Sequence, residues 1–223
     1  MDALSRHQIA WRAAQDLEDG SYVNLGLGLP VLIANYKPLD RELMFHSENG
    51  ILGVGPIAGK NEEDSDLVDA GSQKITLNTG AALFDSSLAF AMIRGGHLDV
   101  TLLGGFEVSE KGDLANWDAK MPDKGQLVGG AMDLVTGAKS VRVTMQHTNK
   151  AGEPRLVKTC SYPLTGTGIV DRVYTDVAVI DVTADGFLVR EIVEGLSRDE
   201  LESRSGARLS YADNCRLLIA PEA

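Results

Sequence analysis

With 223 residues, 43% hydrophobic and 24% charged, the chain is long enough to bury a proper core as one large domain. A formal charge of −11 excludes nucleic acid and anionic membrane surfaces as partners, since both need basic faces. Two cysteines, Cys160 and Cys215, are too few for a disulfide framework and lack metal-type spacing, so they read as free thiols in a reducing compartment. No run resembles a signal peptide or a membrane span, and the expected location is cytoplasmic.

The chain opens with a helix. Ser5 and Gln8 form a capping-box pattern, Ile9, Ala13 and Leu17 recur at helical spacing, and Gly20 supplies the stop. Residues 22–25 read as a short strand, followed by the turn Gly26-Leu27-Gly28-Leu29 and a helix over 31–36 introduced by Pro30. A strand, glycine turn and helix N-terminus can hold an anion or carbonyl, or can simply pack tightly. A second apolar strand ends over 43–45 and delivers Ser47-Glu48-Asn49-Gly50, then a glycine-spaced run over 51–56. A carboxylate is thereby placed at a strand end beside glycines, where open α/β sheets carry out ligand chemistry; a solvated turn is the other reading of the same residues.

Glu62, Glu63, Asp64, Asp66 and Asp69 lack ordered metal-loop spacing and read as a solvated acidic loop. Residues 74–77 are strand-like, and Asp85 caps a helix through Leu88, Ala89, Met92 and Ile93 that Gly95-Gly96 halts. Residues 98–103 form a buried strand. A hairpin pairs 106–108 with 114–117, in which Asp113 and Asn116 either cap the loop or face a ligand. A polar loop over 118–126 leads to Gly129-Gly130, and 133–136 suit a helical turn. Val141, Val143 and Met145 alternate with polar residues as in a half-exposed strand, and His147 suits a structural hydrogen-bonding role. Residues 149–152 turn into 156–162, and 177–182 with 187–193 make a closing hairpin. Ser197 and Glu200 repeat the capping box for a last helix ending near Gly206. No repeat or linker divides the chain. The expectation is an α/β fold: a single domain over 1–223 with a mostly parallel central sheet flanked by helices.

Six segments in order carry a resemblance. Ser47-Glu48-Asn49-Gly50 is joined by 24–30 (Asn-Leu-Gly-Leu-Gly-Leu-Pro), 91–97 (Ala-Met-Ile-Arg-Gly-Gly-His), 112–117 (Gly-Asp-Leu-Ala-Asn-Trp), 129–133 (Gly-Gly-Ala-Met-Asp) and 163–166 (Pro-Leu-Thr-Gly). Together they resemble the β subunit of family I CoA-transferases, the 3-oxoacid and 3-oxoadipate CoA-transferases. The resemblance implies Glu48 as nucleophile and Gly130 as an oxyanion donor, with Gly129 supplying the turn. It also places Asn24, Gly26, Gly28, Asn49, Gly50 and Gly129 against coenzyme A, with Asn24 on the pantetheine arm. Coenzyme A and acyl-CoA are then substrates, and no metal or permanently bound cofactor is implied. The implied partner is an α subunit in a hetero-oligomer (α₂β₂ is one such arrangement), without which this subunit is nearly inactive.

The implied reaction moves CoA from succinyl-CoA to a 3-oxo acid through a glutamyl-CoA thioester on Glu48. Two departures bear on it. Ala70-Gly71 is followed by Ser72 where many members carry Lys, with Lys74 two places on, which unsettles one CoA contact. The loop 118–127 departs from acetoacetate-type members, and with the residues around Gly129 it looks more like 3-oxoadipate enzymes. Acetoacetate transfer, a CoA-ester hydrolase and a non-catalytic ligand-sensing module on the same fold stay as alternatives.

Overall fold

The computed structural model describes residues 3–120, 126 and 128–221. In chain order it has α1 (Arg6–Ala14), β1 (Tyr22–Leu25), a 3₁₀ helix (Pro30–Tyr36), β2 (Met44–Ser47), β3 (Ile51–Ile57), β4 (Ile75–Leu83) and α2 (Ser86–Arg94). There follow β5 (Val100–Gly104), β6 (Glu107–Ser109), β7 (Leu114–Ala115), α3 (Ala131–Gly137), β8 (Ser140–Thr144) and β9 (Leu156–Val157). The chain ends through β10 (Val170–Tyr174), β11 (Ala178–Thr183), β12 (Gly186–Val193), α4 (Arg198–Ser203) and β13 (Leu209–Leu218).

Ten strands form one sheet in the order β13-β12-β11-β10-β8-β5-β1-β2-β3-β4, and β7-β6-β9 form a small second sheet. The centre, β10-β8-β5-β1-β2, is parallel throughout, and antiparallel pairs flank it on both sides. This is the α/β architecture expected. Alternation along the strands sends neighbours to opposite faces. Val23, Phe45 and Leu102 face α1 and the 3₁₀ helix, whereas Leu103, Val141 and Val143 face α2 and α3 with the small sheet. No helix among the described residues is long and apolar enough to cross a membrane.

Both capping boxes form, Ser5 with Gln8 and Ser197 with Glu200, and Asp85 caps α2. The helix expected over 31–36 is a 3₁₀ helix. The glycine-spaced run after Gly50 is a strand, β3, and the hairpin β11–β12 does not close the sheet, because β13 adds beyond it. Asp69 is not solvated: it is buried, and its Oδ1 accepts the N–H groups of Gly71 and Gln73.

A buried ionic cluster fastens α1 to the last strands. Arg12 donates twice to Glu191, at 2.8 and 2.7 Å, and once to Asp16 at 2.7 Å. Asp16 also accepts from Arg172 and Tyr174, and Glu191 from Arg216. A register shift on both sides of Arg190 sets Glu191 opposite Val179, on the face that α1 covers. Burial pushes the carboxyls of Asp16 and Glu191 upward, yet the arginine bonds outweigh it and hold both below the ordinary carboxylate range. Their contribution to stability is thus complete above that range and is lost as pH falls below it. Glu191→Ala, which strands the buried Arg12, is expected to cost about 3–5 kcal/mol in denaturant unfolding and to flatten the acid side of the stability–pH curve. An unchanged midpoint would show that the cluster is dispensable.

Candidate active site

The turn after β2 is held from three sides. The Gly50 N–H donates to the Ser47 carbonyl at 3.0 Å, and Phe84 N–H donates to the Gly50 carbonyl at 2.9 Å. Gly50 has φ +112°, and any Cβ there would overlap the Phe84 carbonyl, so only glycine closes this turn. The Ser47 hydroxyl accepts the Ala70 N–H at 3.0 Å, and the Asn49 amide donates to the Val68 carbonyl at 2.8 Å. Glu48 is therefore presented by a braced three-residue turn.

Its carboxylate lies against the backbone of Gly130, the residue that caps the start of α3, near enough for the Gly130 N–H to favour the charged form. A Cβ on Gly130 would overlap the Glu48 carboxylate and lie 2.8 Å from the Phe90 ring. Asp133, one turn on, is held by Arg94 at 2.7 Å, and that guanidinium lies over Phe90. Burial raises the Glu48 carboxyl above its ordinary value; the Gly130 N–H draws it back and the Asp133 charge pushes it up further.

Glu48 borders a cavity of about 400 Å³ at the carboxyl ends of the parallel strands. Gly26 and Leu27 after β1, Gly104 at the end of β5 with Gly105 after it, and Met145 and Gln146 after β8 contribute to its wall, as do Gly129 and Gly130. This is where an open α/β sheet offers room for a ligand. The wall is mainly apolar, with two arginines, Arg6 and Arg155, in it.

Four of the eight residues singled out in the sequence, Glu48, Gly26, Gly129 and Gly130, meet at this cavity. Asn49 and Gly50 brace the turn, and Gly28, with φ +88°, shapes the turn after β1. Asn24 does not reach the cavity. It lies on the opposite face of β1 from Val23 and Leu25, buried, its amide donating to His46 Nδ1 at 3.0 Å and its oxygen accepting from Thr101 at 3.4 Å. His46 stacks on Phe84 and is kept neutral by burial, its pKa lowered to about 4. The Asn116 amide donates to the Gly104 carbonyl and its oxygen accepts from Thr165, so it braces a loop that borders the cavity. His147 is tied between Thr175 and Ser205.

Sequence reasoning missed Arg155, Phe90 and the pair Gly104-Gly105. The last follows a buried strand as Gly26 does, a signal that was present; Arg155 carries no local signal. Among the described residues no group of three or more His, Cys, Asp or Glu is placed to hold a metal ion. Residues 121–125 and 127, where the family loop departs, lie outside the described residues.

A family model described as Coenzyme A transferase matches residues 6–203. The chain is 52% identical over 206 residues to a subunit of the 3-oxoadipate CoA-transferase of Acinetobacter baylyi, covering 92% of this chain and 95% of that protein. It is 49% identical over 212 residues to a subunit of the probable succinyl-CoA:3-ketoacid coenzyme A transferase of Bacillus subtilis, covering 94% and 97%. An acyl-CoA transferase of Escherichia coli, solved as a thioester complex with CoA, shares the fold with a TM-score of 0.74 at 19% identity. That match covers 97% of this chain and 43% of the other, so the chain spans less than half of that longer polypeptide. Glutaconate coenzyme A-transferase of Acidaminococcus fermentans gives a TM-score of 0.72 at 16% identity, covering 98% and 90%.

Proposed function

The chain belongs to the coenzyme A transferase family, and from that premise we propose that it is the glutamate-bearing subunit of a transferase moving CoA from succinyl-CoA to a 3-oxo acid, with 3-oxoadipate as acceptor. The observation that carries this reading is the Glu48 carboxylate on the Gly130 amide, at the edge of a cavity formed by parallel strand ends. The names of the 3-oxoadipate and 3-ketoacid relatives support the substrate class.

Transferring a thioester without losing its energy to water requires a covalent relay. Glu48 is chemically like the acids being exchanged, so each intermediate stays near the starting free energy. Its carboxylate oxygen attacks the succinyl-CoA carbonyl, forming a mixed anhydride as the C–S bond breaks and CoA leaves as thiolate. The thiolate attacks the Glu48 carbonyl, forming a glutamyl-CoA thioester and releasing succinate. The acceptor carboxylate then attacks the glutamyl carbonyl and the steps run in reverse. When Glu48 itself becomes the tetrahedral centre, its oxyanion forms where the Gly130 N–H already points, so the donor needs no rearrangement.

The reading includes an α subunit over this site. Leu27, Leu83, Leu88, Val128 and Met132 are all exposed, and each lies within a few residues of the cavity wall, the Glu48 turn or the helix starts facing it. Such an apolar rim suits burial against another chain. The test is to incubate the αβ complex with succinyl-CoA alone, treat it with hydroxylamine or borohydride, and map the adduct by mass spectrometry. The modification is expected on Glu48, with CoA fully released only when an acceptor acid is added. An active complex with Glu48 unmodified refutes the relay, and release of CoA without acceptor makes the protein a hydrolase.

A further inference from the structure

We propose that Arg155 recognises the free, non-reacting carboxylate of the acceptor and so selects dicarboxylic 3-oxo acids over monocarboxylic ones. The inference rests on the transferase reading and adds a specificity residue to it.

The backbone of Arg155 is fixed on both sides. Its N–H donates to the His147 carbonyl at 3.0 Å, and its carbonyl accepts the Val108 N–H at 2.9 Å. The side chain enters the cavity wall half-buried, where its hydrogen bond to protein is a long one, Nη1 to the Gly105 carbonyl at 3.5 Å. A guanidinium has five N–H donors in a fork matched to carboxylate. Arg12 and Arg172, elsewhere in the fold, are each spent on carboxylates at 2.6 to 2.8 Å. Arg155 forms no ion pair with a carboxylate among the described residues. Burial lowers its pKa and the Asp176 charge offsets this only in part, in keeping with the missing ion pair.

Its neighbours in the wall fit the same ligand. The Thr144 hydroxyl is buried without a hydrogen-bond partner, and the Gln146 amide makes none to other described residues. Arg6, the other cation in the wall, is solvent-exposed at the first turn of α1, so water already satisfies it. Position also agrees. Glu48 follows β2 and Gln146 follows β8, three strand spacings away across β1 and β5, or roughly 14 Å. Arg155 and Glu48 line the same cavity of about 400 Å³, which has room for a short dicarboxylate. With its reacting carboxyl at Glu48, such an acid would bring its second carboxylate into an apolar cavity, where an unpaired charge is strongly disfavoured.

The experiment compares kcat/KM of the αβ complex for 3-oxoadipate and for 3-oxohexanoate, which has a methyl group in place of the distal carboxylate. In a ping-pong relay these values report the acceptor half-reaction alone, so the donor drops out. The wild type should prefer the dicarboxylate. Arg155→Gln should lose roughly 100-fold on 3-oxoadipate and stay within about threefold on 3-oxohexanoate. Arg155→Lys should keep part of the preference. A wild type without preference, an Arg155→Gln complex that keeps it, or equal losses on both acids in both variants would each overturn the assignment. A wild-type complex that acylates neither acid would instead overturn the transferase reading, and this inference with it.

Discussion

Glu48→Gln in the αβ complex is expected to lower CoA transfer by roughly four orders of magnitude while leaving the fold intact. The amide keeps the size and planarity of the carboxylate, and its oxygen can still accept the Gly130 N–H. What it removes is the nucleophilic anion, and with it the relay. Denaturant unfolding should be close to wild type, because Glu48 stands on a turn braced by backbone bonds from Ser47, Ala70 and Phe84 that do not involve its side chain. A variant retaining a tenth of the activity would end the proposal that Glu48 is the nucleophile. The pH profile adds a second check. Burial and Asp133 hold the Glu48 carboxyl above its ordinary value, and only the ionised form attacks. Activity should therefore fall on acidification at a higher pH than an exposed glutamate would dictate. Asp133→Asn removes a neighbouring negative charge and frees Arg94, both of which favour the ionised form, so the acid limb of kcat/KM should move to lower pH.

Gly130→Ala should slow formation of the glutamyl thioester by roughly 10²–10³-fold. The variant keeps its N–H, so nothing is lost from the donor itself. The added methyl overlaps the tip of the Glu48 carboxylate and presses on the Phe90 ring, so something must shift. Either Glu48 swings away or the start of α3 withdraws, and in both cases donor and nucleophile part. Single-turnover labelling with succinyl-CoA measures the step directly. A wild-type rate of labelling would show that the close approach of Gly130 to Glu48 has no part in the chemistry.

Much of the scaffold could be read locally. The capping boxes at Ser5 and Ser197, the Asp85 cap and the hairpin around Gly186 are short-range patterns, and each forms. The strands that escaped notice have another character. In β3, Gly53 and Gly55 break the apolar pattern of a strand, yet a Cβ on Gly53 would lie 2.9 Å from Ala81, so close strand approach is what excludes larger residues. In β13, a central Asp213-Asn214 hides an edge strand that pairs on one side only. Glu48 and Gly130 stood out through family resemblance, since 82 positions separate them and no local rule joins them. Asn24 matches the family pattern too, and its side chain is buried against His46 and Thr101, on the face of β1 opposite Val23 and Leu25. Arg155 follows a polar turn and looks in sequence like any solvated arginine. Its meaning comes from β8 and β9, which bring it into the cavity wall.

The tie between α1 and the last strands also bears on how the cleft is assembled. Arg12 seats itself on Glu191, 179 positions away in sequence, and Gln8 donates to the Pro221 carbonyl at 2.9 Å. Because Arg6, at the head of that helix, belongs to the cavity wall, the cleft takes its final form only once these distant pairings have closed. Its wall thus depends on contacts of the kind that form slowly during folding.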